Sequence, residues 1–176
     1  MSRSVARLLA ESLEAHDIDQ VYCVPGESYI GLTSALIERN SIRVVVCRHE
    51  AGAGYMAVAD GRLRDRAGVA IVSRGPGLSN AMVSLHSAYH DATPMVMLVG
   101  QVERGDFGRL ALQEQNYSRL LSDVTKQVIE VNEEAVEDPS VVNLDPFGRG
   151  WLFRMSLTGE LDVLEPTEYE TLIAGE

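Results

Sequence analysis

Arg48-His49-Glu50-Ala51-Gly52-Ala53-Gly54-Tyr55-Met56-Ala57-Val58-Ala59-Asp60-Gly61-Arg62 is the stretch on which the reading of this chain turns. It follows the β-branched apolar run of residues 42–47 and opens a helix built of small residues, with a carboxylate in the first turn. Alanine and glycine along one side of a helix let a second backbone or a flat ligand come close. Glu50 stands where a strand hands over to that helix, so two rigid elements hold it, and it is the first candidate for chemistry. Its plainer role is a carboxylate that satisfies the helix macrodipole.

On either side the same alternation recurs. Val5, Leu8, Leu9 and Leu13 fall at helical spacing behind Ser4, a capping residue. Residues 20–24 form a β-rich run stopped by Pro25-Gly26, and a helical pattern follows over 30–38. Beyond the opening stretch, a strand is expected at 68–73, a helix at 78–89, a strand at 94–100, a long loop at 101–116 with one helical turn near 118–121, and a strand at 126–131. Continuous apolar strands separated by helices predict an α/β fold, a doubly wound parallel sheet of about five strands covered on both faces.

After Val131 the alternation stops. Residues 132–138 read as an acidic helical turn, 141–148 as loop, and 167–174 as a short helix. In 150–157, Trp151, Phe153, Met155 and Leu157 alternate with Leu152, Arg154 and Ser156, the pattern of a half-exposed strand.

Composition narrows the function classes. A chain of 176 residues with 45% hydrophobic and 23% charged residues has the material for one packed domain, and two small units are also open. A net charge of −11 opposes nucleic acid or an anionic membrane as a partner, because both require a cationic surface. No signal peptide or membrane-spanning stretch is read. Cys23 and Cys47 lie in apolar runs, which fits small buried hydrophobes in a reducing, cytoplasmic setting. No cluster with metal-ligand spacing is read either, so no metal is assigned.

In an open parallel sheet, ligands bind beyond the carboxyl ends of the strands. The residues there are Pro25-Gly26-Glu27-Ser28, Arg48-His49-Glu50, Arg74-Gly75-Pro76-Gly77 with Asn80, and Gly100-Gln101. Together with Ser73, Leu78-Ser79, His90-Asp91-Ala92-Thr93-Pro94 and Gln113-Glu114, they resemble, in order and spacing, the pyrimidine-binding domain of thiamine diphosphate-dependent enzymes. The acetolactate synthase-like branch is the nearest. The likeness runs over about residues 4–131.

The resemblance implies that Glu50 is the glutamate that hydrogen-bonds a ring nitrogen of the aminopyrimidine. It thereby promotes the imino tautomer through which the thiazolium proton is removed. A carboxyl suits that exchange in a partly desolvated cleft. The resemblance also makes Pro25, Gly26 and Asn80 pyrimidine-side positions and Gln113 a polar residue on the substrate side. It implies a homo-oligomer too, with apolar surface around Gly52, Tyr55 and the helix at 78–89.

The tail resembles a different family. Val128-Ile129-Glu130-Val131-Asn132, then Asn143-Leu144-Asp145-Pro146-Phe147-Gly148-Arg149-Gly150-Trp151, and Glu160-Leu161-Asp162 through Tyr169-Glu170-Thr171-Leu172-Ile173, are similar to the carboxyl-terminal part of the glycine cleavage system H protein. That family's lipoyl-bearing lysine lies in an upstream hairpin with no counterpart here. Lys126, the single lysine of the chain, stands in a strand context, so no lipoylation is expected.

Two resemblances meeting in one strand predict a chimera, with residues 1–126 forming the thiamine diphosphate enzyme-like portion and 127–176 an H protein-like segment packed onto it. On this expectation a foreign carboxyl-terminal strand and helix complete the sheet. Thiamine diphosphate enzymes hold the diphosphate and Mg²⁺ through a Gly-Asp-Gly motif on a second domain, and this sequence contains no such motif. The expectation is therefore a partial aminopyrimidine site, slight cofactor affinity and no independent turnover. The alternative is the pyrimidine half of a split carboligase or decarboxylase whose diphosphate-binding domain comes from another subunit.

Overall fold

The computed structural model describes residues 4–64, 66–125, 127–131 and 153–157. Helix α1 (Val5–Ala15) starts where expected, with the Ser4 hydroxyl accepting the Arg7 backbone N–H at 3.3 Å. Strand β1 (Gln20–Cys23) leads through a 3-10 turn (Glu27–Tyr29) to α2 (Ile30–Arg39), which ends at Asn40 in the left-handed region with φ 55°. Then come β2 (Arg43–Val46), α3 (Glu50–Arg64), β3 (Gly68–Ser73), α4 (Arg74–His90) and β4 (Met95–Gly100). Helix α5 (Tyr117–Leu121), β5 (Gln127–Val131) and β6 (Phe153–Leu157) follow.

Strands β2-β1-β3-β4 form one parallel sheet in that order. The side chains divide by parity, as a period of two requires. Val21, Cys23, Val69 and Ile71 face α1 and α2, packing on Ala10, Leu32 and Leu36. Tyr22 and Ala70 face Ala53 and Ala57 of α3, while Val72 meets Leu78, Ala81 and Leu85 of α4. The sheet is thus covered on both faces, and the α/β doubly wound expectation holds. Leu36, Val21 and Ile71 are almost wholly buried, each contributing roughly 1.5–3 kcal/mol by leaving water. At Gly54 a Cβ would stand 1.9 Å from Ser84 Oγ, so the small residues of α3 are what let α4 approach.

The amino end of the sheet is closed by charge. Asp60, on α3 and 6% exposed, receives Arg64 Nε at 2.9 Å and Gln20 Nε2 at 2.8 Å. Arg64 Nη1 also reaches both Asp19 oxygens at 2.9 Å, and Arg66 pairs with the same carboxylate.

Three differences from the sequence reading have physical causes. The parallel sheet has four strands, because β5 pairs antiparallel with β6, from Gln127 opposite Leu157 to Val131 opposite Phe153. Alternating patterns such as that of 150–157 belong to antiparallel ladders with one wet face, and β5 is the partner that matches β6 over its full length. The late strand therefore does not complete the parallel sheet. Helix α4 begins at Arg74 rather than near Leu78. Proline is tolerated in a first helical turn, and the Gly75 N–H is satisfied from outside by the Gln113 carbonyl at 3.1 Å. The expected helical turn at 132–138, the loop at 141–148, the helix at 167–174, Trp151 and Lys126 lie outside the described residues.

Among the described residues no helix is long and apolar enough to cross a membrane. Cys23 is buried and Cys47 half-buried, both as free thiols, and burial pushes both above the ordinary thiol range.

Candidate functional site

From β1 the chain crosses through α2 to β2 on one side, and from β3 it crosses through α4 to β4 on the other. The carboxyl ends of β1 and β3 are therefore neighbours from which the chain departs in opposite directions, the place where an open α/β sheet leaves a crevice. Pro25-Gly26-Glu27-Ser28 leaves β1 and lies across the ends of β3 and β4. A Cβ on Gly26 would stand 2.4 Å from Ser73 Cβ, and one on Gly100 would stand 2.0 Å from Ser28 Oγ. The two hydroxyls meet at 2.9 Å between Ser28 and Ser73. Only a residue without a side chain fits at Gly26 with its neighbours unmoved. Pro25 itself is exposed.

Glu50 opens α3 and is half-buried. His49 turns its Nδ1 back to accept the Ala51 N–H at 3.1 Å, which satisfies one of the open donors at that helix end. Asn80, in the second turn of α4, donates from Nδ2 to Glu50 Oε2 at 2.9 Å. The other oxygen, Oε1, faces Gly77, where a Cβ would stand at 3.8 Å, and among the described residues no further hydrogen bond reaches Glu50. The fold thus brings Glu50 and Asn80 together from two helices that start at different strands, and it holds half of the carboxylate while leaving half open.

Gln113 joins the same edge differently. Its side chain is exposed and its backbone is left-handed at φ 68°, while its carbonyl is held by the Gly75 N–H in the first turn of α4. Gln101, just past β4, donates from Nε2 to the Gln115 carbonyl at 2.8 Å, and the Tyr117 hydroxyl donates to the Gly100 carbonyl at 2.8 Å. Burial pushes the Tyr117 phenol up to about 12, so it stays a donor at neutral pH.

Tyr29 has no signal in the sequence. Its hydroxyl donates to the Val24 carbonyl, closing the turn that carries Pro25 and Gly26. Burial raises its pKa first, and the charges of Cys23 and Glu50 add to the rise. Nothing about Ser28-Tyr29-Ile30 as a string distinguishes a buried tyrosine from a surface one; the signal exists only once β1 and β3 are adjacent.

A carboxylate with one oxygen fixed and one open can exchange a proton with a heteroaromatic nitrogen. The donor set fits the pyrimidine end of thiamine diphosphate. For the diphosphate end, the described residues contain no group of three or more His, Cys, Asp or Glu side chains that could hold a metal ion.

Comparison with known proteins agrees with this geometry. The family described as thiamine pyrophosphate enzyme, N-terminal TPP binding domain, matches residues 3–120. A second family, glycine cleavage H-protein, matches residues 108–174, overlapping the first by the end of the long loop and the start of α5. The catabolic acetolactate synthase of Raoultella terrigena is 39% identical over 126 residues, covering 72% of this chain and 22% of the relative. The chloroplastic acetolactate synthase of Arabidopsis thaliana is 34% identical over 124 residues, covering 70% of this chain and 18% of the relative. The acetolactate synthase large subunit of Lactococcus lactis is 28% identical over 169 residues, 94% of this chain and 29% of the relative. The chain spans about a fifth of the length of the first of these relatives.

Proposed function

Because this chain belongs to the family of thiamine pyrophosphate enzyme N-terminal TPP binding domains, we propose that it carries the aminopyrimidine half of a thiamine diphosphate site, with Glu50 as the group that engages the ring nitrogen. The observation that carries this reading is the Asn80-to-Glu50 hydrogen bond of 2.9 Å at the β1/β3 crevice, which fixes Oε2 and leaves Oε1 open. Pro25 and Gly26 would wall the ring and Gln113 would face the substrate side. The cofactor, when bound, supplies a stabilised carbanion equivalent; this chain's residues bind and orient the pyrimidine and hold the proton at the Glu50 carboxyl.

The reading includes a seam near residue 126, with residues 127–176 derived from an H protein-like segment. The match at 108–174 and the antiparallel β5–β6 pair outside the parallel sheet both support it. On this reading the diphosphate and Mg²⁺ anchors are supplied elsewhere, and the chain alone has no turnover. Titration of the full chain with thiamine diphosphate and Mg²⁺ is expected to give slight, millimolar-range affinity, since one end of the ligand is unheld; micromolar binding would overturn the partial-site reading.

One observation favours a second reading. The 28% identity to the Lactococcus lactis large subunit runs through 94% of the chain, tail included. In that case the chain is the pyrimidine half of a split carboligase or decarboxylase. Adding a diphosphate-binding partner should then restore activity, and Glu50→Gln should abolish it.

Self-association is part of the proposal. Tyr55, Met56, Val83 and Tyr89 are exposed on α3 and α4, and a groove of about 410 Å³ runs between these helices past Tyr55, Val58, Leu63 and Ser87. A second copy would cover this face, and light scattering at two concentrations tests it.

A further inference from the structure

The backbone of Arg74 is left-handed, with φ 49°, at the handover from β3 to α4, a conformation uncommon for a long side chain and one that clusters at functional sites. Its side chain is only 19% exposed. From that position Nη1 reaches Glu27 Oε1 at 3.2 Å, in the turn after β1, and the Leu112 carbonyl at 3.3 Å, in the long loop. The next residue, Gly75, donates its N–H to the next carbonyl, that of Gln113, at 3.1 Å. Two consecutive residues of α4 thus hold two consecutive carbonyls of the loop. A Cβ on Gly75 would fit only tightly, 3.1 Å from the Gln113 oxygen and 3.2 Å from Gln115 Cβ.

Val102 at the start of the loop is buried, but the stretch that Arg74 and Gly75 grip is not. Leu110 is 95% exposed and Leu112 75%, so apolar burial does not fix its place. Glu114 ties the loop to itself, through the Gly108 N–H at 2.6 Å and the Ala111 N–H at 3.1 Å. Ties from the loop to the sheet edge include those to Gln101, Arg74 and Gly75. Arg74 is the one that also reaches the turn carrying Pro25 and Gly26. Its Nε is buried without a hydrogen-bond partner among the described residues, so the guanidinium is kept there at a cost that its other end must offset.

We propose that Arg74 is a positioning residue: it clamps the loop that carries Gln113 to the turn that carries Gly26, and so sets the substrate side of the site relative to its pyrimidine side. The assignment of those two sides rests on the function proposed above. The clamp predicts which substitutions preserve it. A lysine keeps a cation with enough hydrogens for both acceptors, whereas a methionine keeps the packed stem and loses both bonds.

Amide hydrogen exchange on the full chain, without ligand, tests the clamp at the Gly75 N–H. Arg74→Met should raise its exchange about tenfold while amides of β1 and β3 stay within about twofold, and Arg74→Lys should return it to within about threefold of the parent. Protection in Arg74→Met equal to the parent, or equal loss in Lys and Met, overturns the proposal. Glu27→Gln serves if Arg74→Met does not fold. It should raise exchange at Gly75 in the same direction by a smaller factor, and no change would overturn the clamp. Titration of the parent chain with 4-amino-5-aminomethyl-2-methylpyrimidine is run separately; absence of binding sinks the aminopyrimidine reading and leaves the exchange result to decide the clamp.

Discussion

The two ends of the four-stranded sheet are both polar, and they are polar in opposite ways. At the amino end, Asp19, Gln20, Asp60, Arg64 and Arg66 join in one network, with the buried Asp60 carboxylate held by two partners. At the carboxyl end, Glu50 has one oxygen held by Asn80 and one open, whereas a buried guanidinium Nε without a partner among the described residues is common to both ends, at Arg66 and at Arg74. Polarity that is completed internally stabilises a fold, and polarity left incomplete at a crevice is available to a ligand.

Substitutions can break that contrast, and the largest effect is expected at the closed end. Asp60→Ala leaves Arg64 and Gln20 without their buried partner and should cost about 3 kcal/mol in denaturant unfolding, with no change in ligand binding. At the open end, Gly26→Ala drives a Cβ against Ser73 and should cost about 2 kcal/mol, with the crevice displaced as well. A cost below about 0.5 kcal/mol would mean that the turn moves freely and does not form a wall.

Glu50→Gln should sharpen the contrast by doing the reverse. Its carbonyl oxygen can still accept from Asn80, so unfolding should shift by less than about 0.5 kcal/mol. Aminopyrimidine binding should fall by about tenfold or more, read by titration calorimetry. A large loss of stability with unchanged binding would make Glu50 a structural residue.

The smallest effect concerns acid. Burial pushes the Asp19 carboxyl up, but the Arg66 and Arg64 guanidiniums beside it pull it further down, so its net position is below the usual carboxylate range. A carboxyl lowered in the folded state stabilises the protein above its unfolded pKa, and that contribution is lost as pH falls through the folded value. Asp19→Asn should therefore flatten the acid limb of stability against pH, most visibly at low salt, because the pair is exposed. An unchanged limb would remove Asp19 from the network's energetics.

Much of this architecture was readable in the chain. The start of α3 at Glu50 and the bounds of β3 at 68–73 fall where the patterns place them. The start of α4 was not readable. Gly-Pro-Gly reads locally as a turn, and what draws Gly75 into the helix is a carbonyl 38 residues further along, at Gln113. The partner of β5 was hidden for the same reason, since a strand's own residues do not say which of two edges it will join. Glu50 was legible from its surrounding motif, whereas its hydrogen bond with Asn80 needs α3 and α4 side by side. Tyr29 and the Arg74 clamp had no linear signature, because each acts across segments far apart in sequence.

The departure of β5 has a consequence for how the protein behaves in solution. Among the described residues, β4 is the last strand of its sheet, and the outer side of Met95–Gly100 carries a row of backbone donors and acceptors that no neighbouring strand takes up. Such a row is a template on which an extended chain adds, whichever molecule it comes from. Raising the concentration is therefore expected to enlarge the scattering species, and short peptides of alternating apolar sequence are expected to compete for that margin.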